Sequence, residues 1–159
     1  MTVSAPAIPQ SIARAWQLLQ QGNHAAADEV VRPLLLAGAM GDELVPLIAA
    51  IRLQQGRFAE AAPLFERARA LYPGEARFAF LHGTALGGMN RFEQAVSAFQ
   101  ATIRLQPNIA DPYLAMGQAQ RKLGQFEEAV SAARRSVRLN PYFSSPHRAL
   151  APRAARRGA

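Results

Sequence analysis

The chain has 159 residues, and half of them are hydrophobic, which suffices for one domain with a sizeable apolar core. It contains no cysteine, so disulfides, thiolate metal sites and a cysteine nucleophile are excluded. The formal net charge is +7, yet residues 1–128 carry eleven basic and eleven acidic side chains. The excess comes from seven arginines beyond Ala129, so the protein has one basic end.

The N-terminal stretch MTVSAPAIPQ lacks the basic start and the unbroken apolar run of a secretory signal. The longest apolar region, residues 33–51, is interrupted by Asp42, Glu43 and two prolines, which disfavours a membrane span. These features predict a cytoplasmic protein.

A period of 34 residues runs through most of the chain. Four similar strings follow one another without insertion: GNHAAADEVVRPLLLAGA, GRFAEAAPLFERARALYP, NRFEQAVSAFQATIRLQP and GQFEEAVSAARRSVRLNP, beginning at Gly22, Gly56, Asn90 and Gly124. The same phase holds for a phenylalanine series, an alanine series and a proline series: Phe58, Phe92, Phe126; Ala27, Ala61, Ala95, Ala129; Pro73, Pro107, Pro141. Self-similarity at such a period is typical of repeat architectures.

Each copy predicts two helices. The first opens at a capping pair, clearest in Asp111-Pro112, and ends at the glycine or Asn90, which suit a left-handed C-terminal turn. The second follows the phenylalanine, with glutamates near its start, an arginine near its end and a proline beyond. The predicted unit is therefore helix, turn, helix and stop.

This pattern resembles four tetratricopeptide repeats, at 8–41, 42–75, 76–109 and 110–143. The resemblance implies an all-α fold, a right-handed superhelical α-solenoid of four helix-turn-helix units, since one unit cannot bury its apolar face alone. In that family a small residue in the first helix allows close helix approach, and the matching positions are Ala15, Ala49, Gly83 and Gly117. Residues 1–7 are interpreted as an N-terminal arm, and 144–159 as a short, incomplete capping helix with a basic tail.

The first copy departs most from the pattern. It has Ala39 in place of proline, His24 in place of phenylalanine, and Pro33 inside its second helix. An interior proline removes a backbone hydrogen bond, so a bend is expected near Arg32.

Candidates for chemistry are few. His24, His82 and His147 fall at packing positions without metal-ligand spacing or accompanying acids. The string HGTALGGMN lacks the lysine and hydroxyl residue of a phosphate-binding loop. We therefore expect no catalytic residue, no metal and no cofactor, and predict that this chain alone is not an enzyme.

In the resembled family the first helices line a concave groove that binds partner segments. At 100° per residue the groove face of this chain is predicted to include the following residues: Ile12, Trp16, Leu19, Glu43, Pro46, Ala50, Leu53, Arg77, Phe80, Thr84, Gly87, Asp111, Leu114, Gln118, Arg121 and Lys122. Some members of the resembled family hold the acidic C-terminal tail of a partner with polar groove residues, an arrangement called a carboxylate clamp. Most of the matching positions are apolar here, and Arg77 alone is retained, so a clamp is disfavoured. An apolar or amphipathic protein segment of acidic character is the expected partner, although internal packing could instead cover Trp16, Phe80 and Leu114.

The leading functional prediction is a non-catalytic protein-protein interaction scaffold. The alternative is an N-terminal repeat module of a larger transferase, of glycosyltransferase or sulfotransferase type. A basic patch of Arg134, Arg135 and Arg138 raises nucleic-acid binding as a third hypothesis, but a solvated basic tail is favoured because stacking aromatics are scarce there. An uncovered face after the fourth repeat would favour a homodimer through the last repeat.

Overall fold

The computed structural model describes residues 8–38 and 41–144, and these fold into α-helices without a strand. The helices in chain order are α1 Ile8–Gln20, α2 His24–Leu36, α3 Leu44–Gln54, α4 Phe58–Leu71, α5 Ala76–Gly88, α6 Phe92–Leu105, α7 Ala110–Lys122 and α8 Phe126–Leu139. A short 3₁₀ turn, Pro141–Ser144, follows α8. The all-α prediction is confirmed.

The helices pair in sequence order. Each odd-numbered helix packs on the even-numbered helix that follows it, and α4 and α6 pack in turn on the first helix of the next repeat. First helices also touch one another, α1 with α3, α3 with α5 and α5 with α7. This is the predicted solenoid of four helix-turn-helix units, in which each repeat contacts its neighbours.

The turn inside each repeat has the left-handed residue that the sequence predicts. Gly22, Gly56, Asn90 and Gly124 have φ of 77°, 72°, 59° and 77°. In the second repeat, the backbone N–H of Arg57 donates to the carbonyl of Arg52 at 2.8 Å, closing the end of α3. A glycine adopts this conformation without a Cβ penalty, and asparagine tolerates it best among the other residues.

Small side chains lie where the two helices of a repeat cross. Ala15, Ala27, Ala49, Ala61 and Ala95 are fully buried. Gly83 serves the same role in the third repeat, because a Cβ there would lie only 2.7 Å from Cε1 of Phe99. The predicted packing positions of the first three repeats therefore lie in the core.

The structure bears on two local expectations at helix ends and inside α2. The predicted cap at Asp111 is wrong: α7 begins at Ala110, and its cap residue Ile109 makes no side-chain hydrogen bond. Asp111 lies in the first turn, where its carboxylate faces the positive end of the helix dipole. Helix α2 continues through Pro33 to Leu36, and the bend expected near Arg32 stays a prediction.

An ion-pair network fills the junction between the first two repeats. Nη1 of Arg52 lies 2.9 Å from Oδ1 of Asp28, and its Nε lies 3.4 Å from Oε2 of Glu60. Burial alone would raise the pKa of Asp28, but the hydrogen bonds from Arg52 and Arg32 outweigh it and lower the pKa below its usual value. Three helices, α2, α3 and α4, are thereby joined.

The outer face of α8 is uncovered within the described residues. Phe126 is 65% exposed and Val130 50%, whereas Phe65 and Phe99 are buried on α4 and α6, which pack on the first helix of the next repeat. Ala133 replaces those phenylalanines and is exposed. The predicted capping helix lies, except for Ser144, outside the described residues.

None of the described helices is long and apolar enough to cross a bilayer.

Gly83 and Gly87 of α5 allow a test of this packing. Replacing either Gly83 or Gly87 with alanine gains up to about 1 kcal/mol of helix propensity, since neither has a positive φ. At Gly83 the new Cβ would meet the Phe99 ring, and overpacking of this kind costs about 1–3 kcal/mol. At Gly87 nothing lies within 4 Å of that atom.

We therefore expect Gly83→Ala to have a lower free energy of unfolding than Gly87→Ala, by about 1–3 kcal/mol in urea titrations. Because Gly87 lies in the last turn of α5, its gain in propensity is the smaller of the two, so a lower stability of Gly83→Ala is due to the contact with Phe99. Equal stabilities would show that the ring moves aside freely, contrary to this description.

Candidate functional site

A recess lies between α5 and α7, the first helices of the third and fourth repeats. It has a volume of about 480 Å³. The residues around it are Gly83, Thr84, Gly87, Phe92, Phe99, Ala115, Gln118, Ala119, Arg121 and Lys122. We call this space the α5–α7 recess; α6 contributes two aromatic rings to it, and the rest comes from α5 and α7.

The recess exists because small residues face one another at helical spacing. Gly83 and Gly87 lie one turn apart on α5, and Ala115 and Ala119 lie one turn apart on α7. Nothing fills the space beside Gly87, where a Cβ would have no neighbour within 4 Å. The sequence therefore builds an apolar hollow with aromatic rings beside it.

Basic groups stand beside the hollow. Arg121 and Lys122 occupy the last turn of α7, where the negative end of the helix dipole favours cations. Both are exposed, and neither pairs with a carboxylate in the described part of the chain. Among the residues that the structure describes, no acidic one lines the recess. The arrangement can hold an apolar side chain and, next to it, a carboxylate.

The structure brings part of the predicted groove set together in this recess. Thr84, Gly87, Gln118, Arg121 and Lys122 all line it. Sequence reasoning did not place Ala115 and Ala119 there. Their four-residue spacing, which matches that of the two glycines, was the available signal.

The N-terminal half of the predicted groove is closed. The guanidinium of Arg77 lies 5.3 Å from the centre of the Trp16 ring, a cation–π contact that joins α1 to α5. Between those helices lies α3, whose Pro46 and Ala50 are buried. Leu19, at 4% exposure, and Ala50, at 7%, belong to the core, so their prediction as groove-surface residues is wrong. Neighbouring first helices pack closely enough to cover both side chains.

The remaining predicted groove residues divide by exposure. Phe80 is half-buried and packs on Phe99 with ring centres 5.7 Å apart, so part of its surface serves the core. Leu114 is half-buried as well. The others are Ile12 and Leu53, half-buried against the core, and Glu43 and Asp111, exposed.

The three arginines of the predicted basic patch are exposed on α8 but do not form one cluster. Arg135 lies over the ring of Tyr113 on α7, at 5.8 Å from its centre. Arg134 and Arg138 instead line an apolar surface hollow of about 480 Å³ with residues Val130, Ala133 and Val137. The patch therefore faces two directions.

The histidines lie as packing residues where the structure describes them. His82 is half-buried and accepts a hydrogen bond at Nδ1 from Nη1 of Arg69, 3.0 Å away. Burial and then the positive charge of Arg69 lower the pKa of His82, against the opposing charge of Glu66. His24 begins α2, and His147 lies outside the described residues. No group of three His, Asp or Glu that could hold a metal occurs in 8–38 or 41–144.

Comparisons with known proteins agree with this architecture. The sequence model of the tetratricopeptide repeat family matches residues 12–76, 47–86 and 80–142. A search of curated proteins finds no significant match. Among solved structures, MamA from MSR-1 superposes with a TM-score of 0.76 at 17% identity, covering 91% of this chain and 83% of that chain.

Two other MamA structures give similar values. MamA 41-end from Desulfovibrio magneticus RS-1 has a TM-score of 0.74 at 20% identity, covering 85% of this chain and 76% of that one. MamA from AMB-1 has a TM-score of 0.70 at 20% identity, covering 90% and 78%. At these identities the likeness shows a shared fold. Because the family model spans most of the chain in overlapping matches, this protein belongs to the tetratricopeptide repeat family.

Proposed function

We propose that the protein is a non-catalytic interaction scaffold that binds a segment of a partner protein along its first helices. The observation that carries this proposal is the α5–α7 recess, an apolar hollow of about 480 Å³ open to the surface. A solenoid of repeats offers an extended binding surface, and protein interaction is the usual role of such surfaces.

The partner segment is apolar or amphipathic and has acidic character. One large apolar side chain anchors it in the hollow beside Phe92 and Phe99, where burial from water stabilises the complex. Acidic residues next to that anchor face Arg121 and Lys122, which steer association and fix the register of binding.

The proposed groove set is therefore revised toward the C-terminal half. Thr84, Gln118, Arg121 and Lys122 form its centre, with Leu114 and Asp111 further along α7. Trp16 and Arg77 shape the closed end by contacting each other. The alternative of a module preceding a transferase domain and the cytoplasmic location both stay predictions, because no described residue bears on them.

A homodimer through the last repeat is a second proposal, favoured by the exposed apolar side chains of Phe126, Val130 and Val137 on α8. A two-fold contact through this face would bring Arg134 and Arg138 of both copies together. Salt screens that repulsion, so the dimer is expected to strengthen as salt rises.

Filling the recess tests the groove proposal. Gly87→Leu places a side chain in open space, so the fold keeps its stability while the anchor of the partner is excluded. We expect capture of the partner from native extract to weaken about tenfold or more relative to the unmodified chain, the effect of losing an anchor worth about 1.4–2 kcal/mol. Quantitative mass spectrometry of the captured proteins measures this.

Two further variants complete that experiment. Gly87→Ala is the matched control and is expected to retain capture, because one methyl group leaves most of the hollow open. Arg121→Gln with Lys122→Gln is expected to weaken capture and to reduce its dependence on salt. If Gly87→Leu captures the same proteins with equal yield, the recess is not the binding site.

The homodimer is tested by sedimentation velocity at about 0.05 M and about 0.5 M NaCl. We expect association to be stronger at the higher salt, and Val130→Ser to weaken it about tenfold or more. Leu36→Ser removes an apolar side chain from α2 that is more exposed than Val130, 83% against 50%, and serves as the control. A monomer at both salts and at high protein concentration would refute this proposal.

A further inference from the structure

A larger cleft lies between α4 and α6, the second helices of the second and third repeats. It has a volume of about 760 Å³ and shares no lining residue with the α5–α7 recess. His82 and Leu86 of α5 and Met89, which follows it, lie at its base, and the helices on either side present small residues such as Ala62 and Ala98. We call it the α4–α6 cleft.

The corresponding junction one repeat earlier is filled. There Arg52 joins Asp28 and Glu60 across three helices. One repeat of 34 residues later, Asp28, Arg52 and Glu60 correspond to the uncharged Ala62, Leu86 and Gln94, in that order. All three line the α4–α6 cleft. Loss of the arginine and of both carboxylates leaves the second junction open.

The replacement of Glu60 by Gln94 leaves Arg91 without a carboxylate partner. Nε of Arg57 donates to Oε1 of Glu60 at 2.8 Å, but the equivalent pair one repeat later is Arg91 and Gln94, which cannot form an ion pair. Arg69 and Arg104 also line the cleft. None of the three pairs with a carboxylate in the described part of the chain.

The charge of the cleft is therefore positive. Glu66 is the acidic residue in its lining, against three arginines. His82 accepts a hydrogen bond from Arg69, which orients that guanidinium at the base of the cleft. The lowered pKa of His82 keeps its ring neutral at pH 7, so the arginines supply the positive charge.

We propose that the α4–α6 cleft is a second binding site, for an extended acidic peptide segment whose carboxylates pair with Arg91 at one end and with Arg69 and Arg104 at the other. This site goes beyond the proposed function of the first helices and does not depend on it. Its apolar base and small-residue walls accommodate short aliphatic side chains between the two acidic ends.

The spacing of the arginines defines the length of that segment. Arg91 immediately precedes α6 and Arg104 is in its last turn, so 13 residues of helix, at about 1.5 Å each, separate them by about 20 Å. An extended chain rises about 3.3 Å per residue, so the two acidic ends lie about six residues apart. Apolar residues occupy the interval.

A blocked peptide of sequence Glu-Glu-Ala-Leu-Ala-Leu-Glu-Glu, with a fluorescent label, is the probe for this site. We expect it to bind the full chain at low salt, and the same peptide with glutamine in place of glutamate to bind much more weakly. Arg91→Gln with Arg104→Gln is expected to weaken binding about fivefold or more. Gln94→Glu, which supplies Arg91 with the partner that Arg57 has, is expected to weaken it as well. Fluorescence anisotropy measures the affinities, and circular dichroism verifies that each variant remains folded.

The matched control removes the same charge elsewhere. Arg121→Gln with Lys122→Gln alters the α5–α7 recess and is expected to weaken binding of this peptide less than the Arg91 and Arg104 variant does. If that control abolishes binding while the Arg91 and Arg104 variant retains it, the peptide occupies the recess and the cleft proposal is wrong. Absence of binding to the unmodified chain also overturns the proposal, without affecting the recess.

Discussion

The close approach of the two helices within each repeat is the constraint on which the rest of this structure depends. Ala15, Ala27, Ala49 and Ala61 are fully buried at the crossings, and Gly83 is required because the Phe99 ring leaves no room for a Cβ. No repeat covers its own second helix, so each must be covered by the next. The solenoid follows from this requirement, and so does the outer face of α8 that no described residue covers.

Both candidate binding sites lie where helix packing leaves space unfilled. One is beside a glycine that no close contact requires, and the other is where an ion-pair network of the preceding repeat is missing. A Cβ at Gly87 would have no atom within 4 Å, and the open space beside this residue is part of the α5–α7 recess. At the second repeat junction the ion-pair network of Asp28, Arg52 and Glu60 has no counterpart, and the space becomes the α4–α6 cleft. Departures from an internally repeated pattern thus indicate where this scaffold is open to partners.

The two halves of the chain differ in whether their arginines have partners within the fold. Two arginines in the first half of the chain have partners within the fold: Arg52 is in an ion-pair network and Arg77 lies over Trp16. Toward the C-terminus, Arg91, Arg104 and Arg121 remain unpaired within the described residues, and Arg134 and Arg138 border an apolar hollow. The acidic and apolar partner that we propose would therefore meet complementary surface mainly on the last two repeats.

The sequence by itself determined the fold, because the 34-residue period, the left-handed positions such as Asn90 and the buried alanines are local requirements that recur in each copy. It also placed Thr84, Gln118, Arg121 and Lys122 on one surface, since helical periodicity decides which side chains share a face. Only the tertiary structure decided that Leu19 and Ala50 are covered and that Trp16 meets Arg77, because both depend on how closely separate repeats approach. The distance between neighbouring repeats results from the packing of all the helix crossings together, so it cannot be read from the sequence of any single repeat.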